Sequence, residues 1–118
     1  MINSNYLLNK AIKIASVMQN KKQNIVAIIS NKKGHLISIG KNSYSKTSPF
    51  QAYYAKKCGC QPKIFLHAEI DALIHCKDKP HTIYVARVNK KSQPLPAKPC
   101  PICSMAIKDA GIKRIITT

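Results

Sequence analysis

Two short clusters carry residue types that do chemistry: His67-Ala68-Glu69 and Pro99-Cys100-Pro101-Ile102-Cys103. One imidazole and two thiolates are donors of the class that suits tetrahedral Zn2+. Each cluster falls where the apolar pattern predicts a helix to begin. A helix N-terminus exposes unpaired backbone N–H groups and a partial positive charge, which lowers a cysteine pKa towards thiolate, the form that binds metal. A structural site closes with a fourth protein ligand, whereas a catalytic site leaves that position to water. Glu69 is the only glutamate in the chain. Two residues beyond His67 on a helix start, it projects beside such a metal rather than onto it. There it is placed to take a proton from water and hand it to a leaving group.

Other readings of the same residues stand beside this one. Cys-Pro-Ile-Cys at a strand-to-helix junction also matches a glutaredoxin redox motif. Such folds need two more strands and a helix after the motif, more than the residues after Cys103 supply. His75 or Cys76 could close the three ligands into a structural zinc site, giving a zinc-stabilised nucleic-acid-binding module, but that leaves Glu69 without a role. Cys58-Gly59-Cys60 with His75 and Cys76 could form a second, structural zinc site, although a one-residue spacing is tighter than the usual two to four. Otherwise these are small buried residues or surface thiols. The chain has five cysteines, an odd number, and opens without a secretory pattern. Metal or reactive thiols therefore account for them better than disulfides.

The elements that must hold these clusters follow from periodicity. Residues 4–20 carry Leu8, Ala11, Ile12, Ala15 and Met18 at helical spacing, with Ser4 or Asn5 as the cap. Residues 25–30 read as a buried strand, 31–34 as a turn and 35–40 as the returning strand of a hairpin. Residues 41–65 form a long loop with one helical turn around 51–57. Residues 67–76 are a helix stopped by Pro80, and 82–88 are a β-branched strand. A polar, proline-bearing loop covers 89–99. A helix over 100–110 ends at Gly111, where a left-handed cap fits, and 112–117 is the last strand. The order α-β-β-α-β-α-β implies a three-layer α/β/α fold with a four-stranded mixed sheet. No repeat or linker divides it, so residues 1–118 read as one domain.

Composition narrows the partners. The 118 residues hold 20 Lys and Arg against 4 Asp and Glu, a net charge of +16, with 45% apolar residues. That length and apolar content support a folded core and exclude disorder. The longest aliphatic run, 25–29, is far shorter than the roughly 20 residues that span a bilayer, so a soluble, cytoplasmic protein is expected. The positive field favours a phosphate-bearing partner. Arg87, Lys90, Lys91 and Lys98 surround the loop into the metal cluster and could form a phosphate rim. Phe50, Tyr53 and Tyr54 could stack on a base or simply pack the loop. His35 and His81 read as solvated loop residues.

H-x-E followed by P-C-x-x-C is the signature of zinc nucleobase deaminases. On these motifs the chain resembles the cytidine/deoxycytidylate deaminase superfamily, nearest its deoxycytidylate and tRNA-adenosine deaminase branch. The likeness runs from about Ile25 onward and is strongest at residues 66–70 and 99–114. It implies that His67, Cys100 and Cys103 hold zinc and that Glu69 shuttles protons. It also implies that the Ala68 backbone contacts the base and that Asn42 reaches the substrate. The implied reaction converts a cytosine-type base to uracil with loss of ammonia. A nucleotide such as deoxycytidylate is the expected substrate, with a base in single-stranded DNA or RNA as the alternative that the +16 charge favours. Homo-oligomers are common in this superfamily. The chain departs from it in the insertion at 89–98 and in ending just after the fourth strand, where relatives continue.

Overall fold

The computed structural model describes residues 4–20, 22–60 and 65–118. Its centre is strand β3 (Thr82–Val88). On one side it pairs antiparallel with β1 (Asn24–Ser30), from Asn24 opposite Val88 to Ser30 opposite Thr82. β2 (Leu36–Lys41) continues outward, antiparallel to β1, through the tight turn at Asn31. There the Asn31 side chain accepts from the backbone N–H groups of Lys33 and His35. On its other side β3 is shared by two short strands. β5 (Arg114–Thr117) runs parallel along Thr82–Val85, and β4 (Pro94–Leu95) runs antiparallel at Arg87 and Val88.

The sheet is mixed, as the sequence implies, but has five strands rather than four. The extra strand comes from residues read as loop. Asn89 Oδ1 accepts from Lys91 and Gln93 backbone N–H groups, which folds the chain back so that Pro94 and Leu95 return along β3. Thr118 then joins the two outer strands. Its N–H donates to Val85 C=O, its C=O accepts from Ala97, and its hydroxyl accepts from Arg87 N–H and donates to Leu95 C=O.

Alternation along the strands builds two cores. Val26, Ile28, Tyr84, Ala86 and Val88 meet Leu7, Ala11 and Ala15 of α1 (Ser4–Ser16). Ala27, Ile29, Ile83 and Val85 face the other layer, made of α2 (Pro49–Lys57), α3 (Ala68–Ile74) and α4 (Pro101–Asp109). Helix α1 stops short of Asn20. Val17 and Met18 N–H groups bond three residues back, and Asn20 turns aside so that its N–H donates to the Asn24 side chain. The side chains of Ser4 and Asn5, expected as its cap, lie outside the described residues, as do residues 61–64 of the long loop. That loop holds a full helix, α2, rather than a single turn. Ser48 caps it by accepting from Gln51 N–H, and Pro49 supplies the preset first-turn φ.

Helix α3 seats directly on β2. Ser38 Oγ donates to Ala72 C=O at 2.6 Å, and Asp71 accepts from Lys41 N–H at 2.9 Å. Between these two contacts lies Gly40. Any Cβ at this position would overlap Ala68 O and Ala72 N, so only glycine lets the helix approach so closely. The seating decides where the first turn of α3 stands. Helix α4 ends as the sequence implies, with Gly111 at φ 83° and its N–H on Lys108 C=O.

Candidate active site

His67 is the N-cap of α3 and Cys100 the N-cap of α4, so both clusters do open helices. Packing α3 and α4 on the same sheet face brings those two helix starts together. His67 Nδ1 lies 3.2 Å from Cys103 Sγ and 3.5 Å from Cys100 Sγ. All three ligand atoms fall within 4.8 Å of one another. Bonds of 2.0–2.1 Å to nitrogen and 2.3 Å to sulfur at a tetrahedral angle put such atoms about 3.6 Å apart. The donor set and its spacing therefore fit zinc. Among the described residues no fourth histidine, cysteine or carboxylate joins this group.

The electrostatics point the same way. Cys103 donates its thiol hydrogen to Cys100, which pulls the Cys100 thiol down to about 4. The same bond, together with burial, pushes Cys103 up. A cysteine whose pKa is lowered in this way favours the thiolate, the form that binds metal. Glu69 is 6% exposed. Burial raises its pKa, only partly offset by its own backbone N–H, His67 and Cys103. A carboxyl so placed holds a proton more readily than one in water.

His67, Glu69 and Cys100 line a cleft of about 620 Å3. Asn42, Arg87 and Lys98 line it too, with the aromatic rings of Tyr44 and Phe65. Those rings meet edge-on at 6.0 Å. Arg87 Nη1 donates to Pro96 C=O at 3.2 Å, and its buried Nε has no partner among the described residues. Asn42 is less free than a bare substrate contact would be. Its Oδ1 accepts from Ile25 N–H and Asn20 Nδ2, and its Nδ2 donates to Gln23 C=O. Ala68 is fully buried at the first position of α3.

The whole chain, residues 1–118, matches the family described as "Cytidine and deoxycytidylate deaminase zinc-binding region". The chain belongs to that family. No curated protein matches it. As a zinc-binding deaminase domain, it has in His67, Cys100 and Cys103 a donor set that can hold the metal.

Other residues singled out in the sequence stand apart from the deaminase cleft. Against the expectation of metal or reactive thiols, Cys58 and Cys60 are joined in a disulfide at the end of α2, where Gly59 at φ 71° turns the chain between them. His75 caps the far end of α3 and bonds Asp71, and Cys76 donates to Asp78 C=O. Among the described residues they form no second metal group and do not close the first. Seven helical residues at 1.5 Å each separate the two ends of α3, too far for His75 to reach. Tyr54 is buried in the core and Tyr53 exposed, and both stack with each other rather than lining the cleft. Of the four basic residues expected as a phosphate rim, Arg87 on β3 and Lys98 line the cleft, while Lys90 and Lys91 are exposed outside it. His35 is exposed as expected, and His81 is half-buried against Thr82 Oγ1. Tyr44 and Phe65 were not legible as cleft residues. Their only signal is nearness in sequence to Asn42 and to His67.

Proposed function

We propose that this deaminase converts a cytosine-type base to uracil and ammonia, acting on a (deoxy)cytidine nucleotide such as deoxycytidylate. The observation that carries the reading is one cleft lined by His67, Cys100 and Glu69 together with two cations, Arg87 and Lys98. When bound by His67, Cys100 and Cys103, zinc supplies Lewis acidity that lets water ionise near neutral pH. Glu69 accepts a proton from the attacking water as its oxygen bonds to C4 of the ring. It passes that proton to the ring nitrogen, N3. It then takes the second proton from the new C4 hydroxyl and gives it to the departing amine, so that ammonia leaves and the C4 carbonyl forms. The backbone at Ala68 orients the base. Asn42, with the second hydrogen of its amide, meets a sugar hydroxyl. Arg87 and Lys98 meet the phosphate. Domain 1–118 works in the cytoplasm, and a second copy of the chain would cover its outer strands.

A base in single-stranded nucleic acid is the second reading, favoured by the net charge of +16. Ammonia release separates the two. Zinc-loaded protein is given deoxycytidylate, cytidylate, cytidine, single-stranded DNA and RNA in parallel, with Glu69→Ala as control. Release from a nucleotide, weakened by Arg87→Gln, supports the first reading. Release from polymer alone replaces it with the second, and no release from any of them overturns both.

A further inference from the structure

We propose that Gln51 is a positioning residue for the zinc ligand His67, an inference that rests on the zinc-deaminase reading and adds a residue to it. Gln51 stands in the first turn of α2 and is 1% exposed. Its Oε1 accepts from His67 N–H at 2.8 Å, and its Nε2 donates to Phe65 C=O at 2.8 Å. One amide therefore brackets Leu66, serving as both acceptor and donor to the backbone on either side of it. Leu66 itself is held by the segment after β2: its N–H donates to Lys46 C=O and its C=O accepts from Ser43 N–H, each at 3.0 Å. The three residues that lead into α3 are thus fixed from two separate elements.

The consequence lies at the ring. His67 has extended backbone as the N-cap, so the direction of its side chain depends on where its own N–H is tied. Tying it to Gln51 sets the imidazole against Cys103 and Cys100. The other half of the amide fixes Phe65, whose ring lines the same cleft. Only a side chain with this length, one acceptor and one donor satisfies both backbone groups. Asparagine is a methylene short, and leucine or methionine strands two buried backbone groups. Supporting groups behind a metal ligand commonly govern metal affinity by about 10–100-fold.

The test compares full-length wild type, Gln51→Met and Tyr54→Phe. Tyr54 is buried on the same helix but its hydroxyl bonds Asp109 rather than the segment before α3, so Tyr54→Phe removes a hydrogen bond of α2 without touching the clamp. Zinc affinity is read by chelator competition, and ligand geometry by the thiolate-to-cobalt bands of the Co2+-substituted protein. Gln51→Met should lose about 10–100-fold in zinc affinity and shift those bands, whereas Tyr54→Phe should lower the melting temperature and leave both unchanged. Equal zinc affinity and an unchanged cobalt spectrum in Gln51→Met overturn the inference while leaving the zinc reading intact. Failure of wild type to bind zinc overturns the reading beneath it. If Gln51→Met does not fold, amide exchange in wild type decides. Slow exchange of the His67 N–H in zinc-free protein supports the clamp, and fast exchange there overturns it.

Discussion

Replacing Gly40 by alanine tests whether the seating of α3 governs the site. The new Cβ would stand 2.8 Å from Ala72 Cα and closer still to Ala72 N and Ala68 O. Non-bonded carbon atoms rest about 3.5–4.0 Å apart. The helix must therefore retreat by about 0.7 Å on account of Ala72 Cα alone, and by about 1 Å once the backbone N and O are cleared. Overpacking of this kind costs about 1–3 kcal/mol. At about 4 °C per kcal/mol for a chain of this size, the melting temperature should fall by about 4–12 °C. The retreat also carries His67 and Glu69, the N-cap and first-turn residues of α3. A displacement of about 1 Å at reacting groups lowers the rate by about 10²-fold. The assay pairs thermal melting of the zinc-loaded protein with kcat/KM from ammonia release. Gly111→Ala is the control. Its φ of +83° makes alanine strained, by about 1–2 kcal/mol, but no atom lies near and α3 is not displaced. Both variants should melt lower, and only Gly40→Ala should lose turnover. Wild-type turnover in Gly40→Ala would refute the argument that β2 sets the position of the catalytic helix.

Glu69→Gln should keep zinc, measured by metal analysis, and lower kcat by about 10²–10⁴-fold, the usual contribution of a positioned acid–base group. Cys103→Ser should abolish stoichiometric zinc in the purified protein, because it removes one of three convergent donors and leaves a hydroxyl in a buried position. Chelation should lower the melting temperature of wild type, with recovery on adding zinc, since a metal bound only by the folded chain stabilises it by mass action. Asp109 gives the pH test. The Tyr54 hydroxyl, then Lys57, donate to its carboxylate and hold its pKa below the ordinary value. Its stabilisation is complete above about pH 4, the unfolded value, and is lost as pH falls through the lower folded value. Melting curves of wild type and Asp109→Asn should thus differ at pH 6 and converge towards pH 2.

How much of this was legible in the sequence follows from how local each signal is. The two β-hairpin strands, β3 and the last helix are written as apolar periods with Gly111 as a stop, and the structure places them within a residue or two of those periods. Strand β4 has no period to read, since two residues suffice for it. What creates it is the Asn89 side chain gathering two backbone N–H groups, followed by Thr118 binding both neighbours. Helix α2 is hidden for a similar reason. Its inward face includes Gln51, a polar residue that a hydrophobic pattern counts as outward.

The candidate metal donors were legible because type and spacing alone restrict their chemistry. H-x-E and C-x-x-C each lie within one helical turn, so whichever helices form, the members of each pair stay together. What brings the pairs to each other is not local at all. His67 reaches Cys103 across 36 residues only because α3 can close on β2, and it can close because position 40 has no side chain. Non-local packing likewise separates the aromatic residues named from the sequence from those that line the cleft. Tyr53 and Tyr54 form a visible cluster but turn to each other and to Lys57, while Tyr44 and Phe65 are far apart in sequence and meet over the cleft. Motifs therefore name the candidate groups, while a small and a buried polar residue outside them, Gly40 and Gln51, decide whether those groups meet. Substitution at these two positions should accordingly be more damaging to zinc binding and turnover than removal of the conspicuous Tyr53 ring, which is 59% exposed and lies outside the cleft.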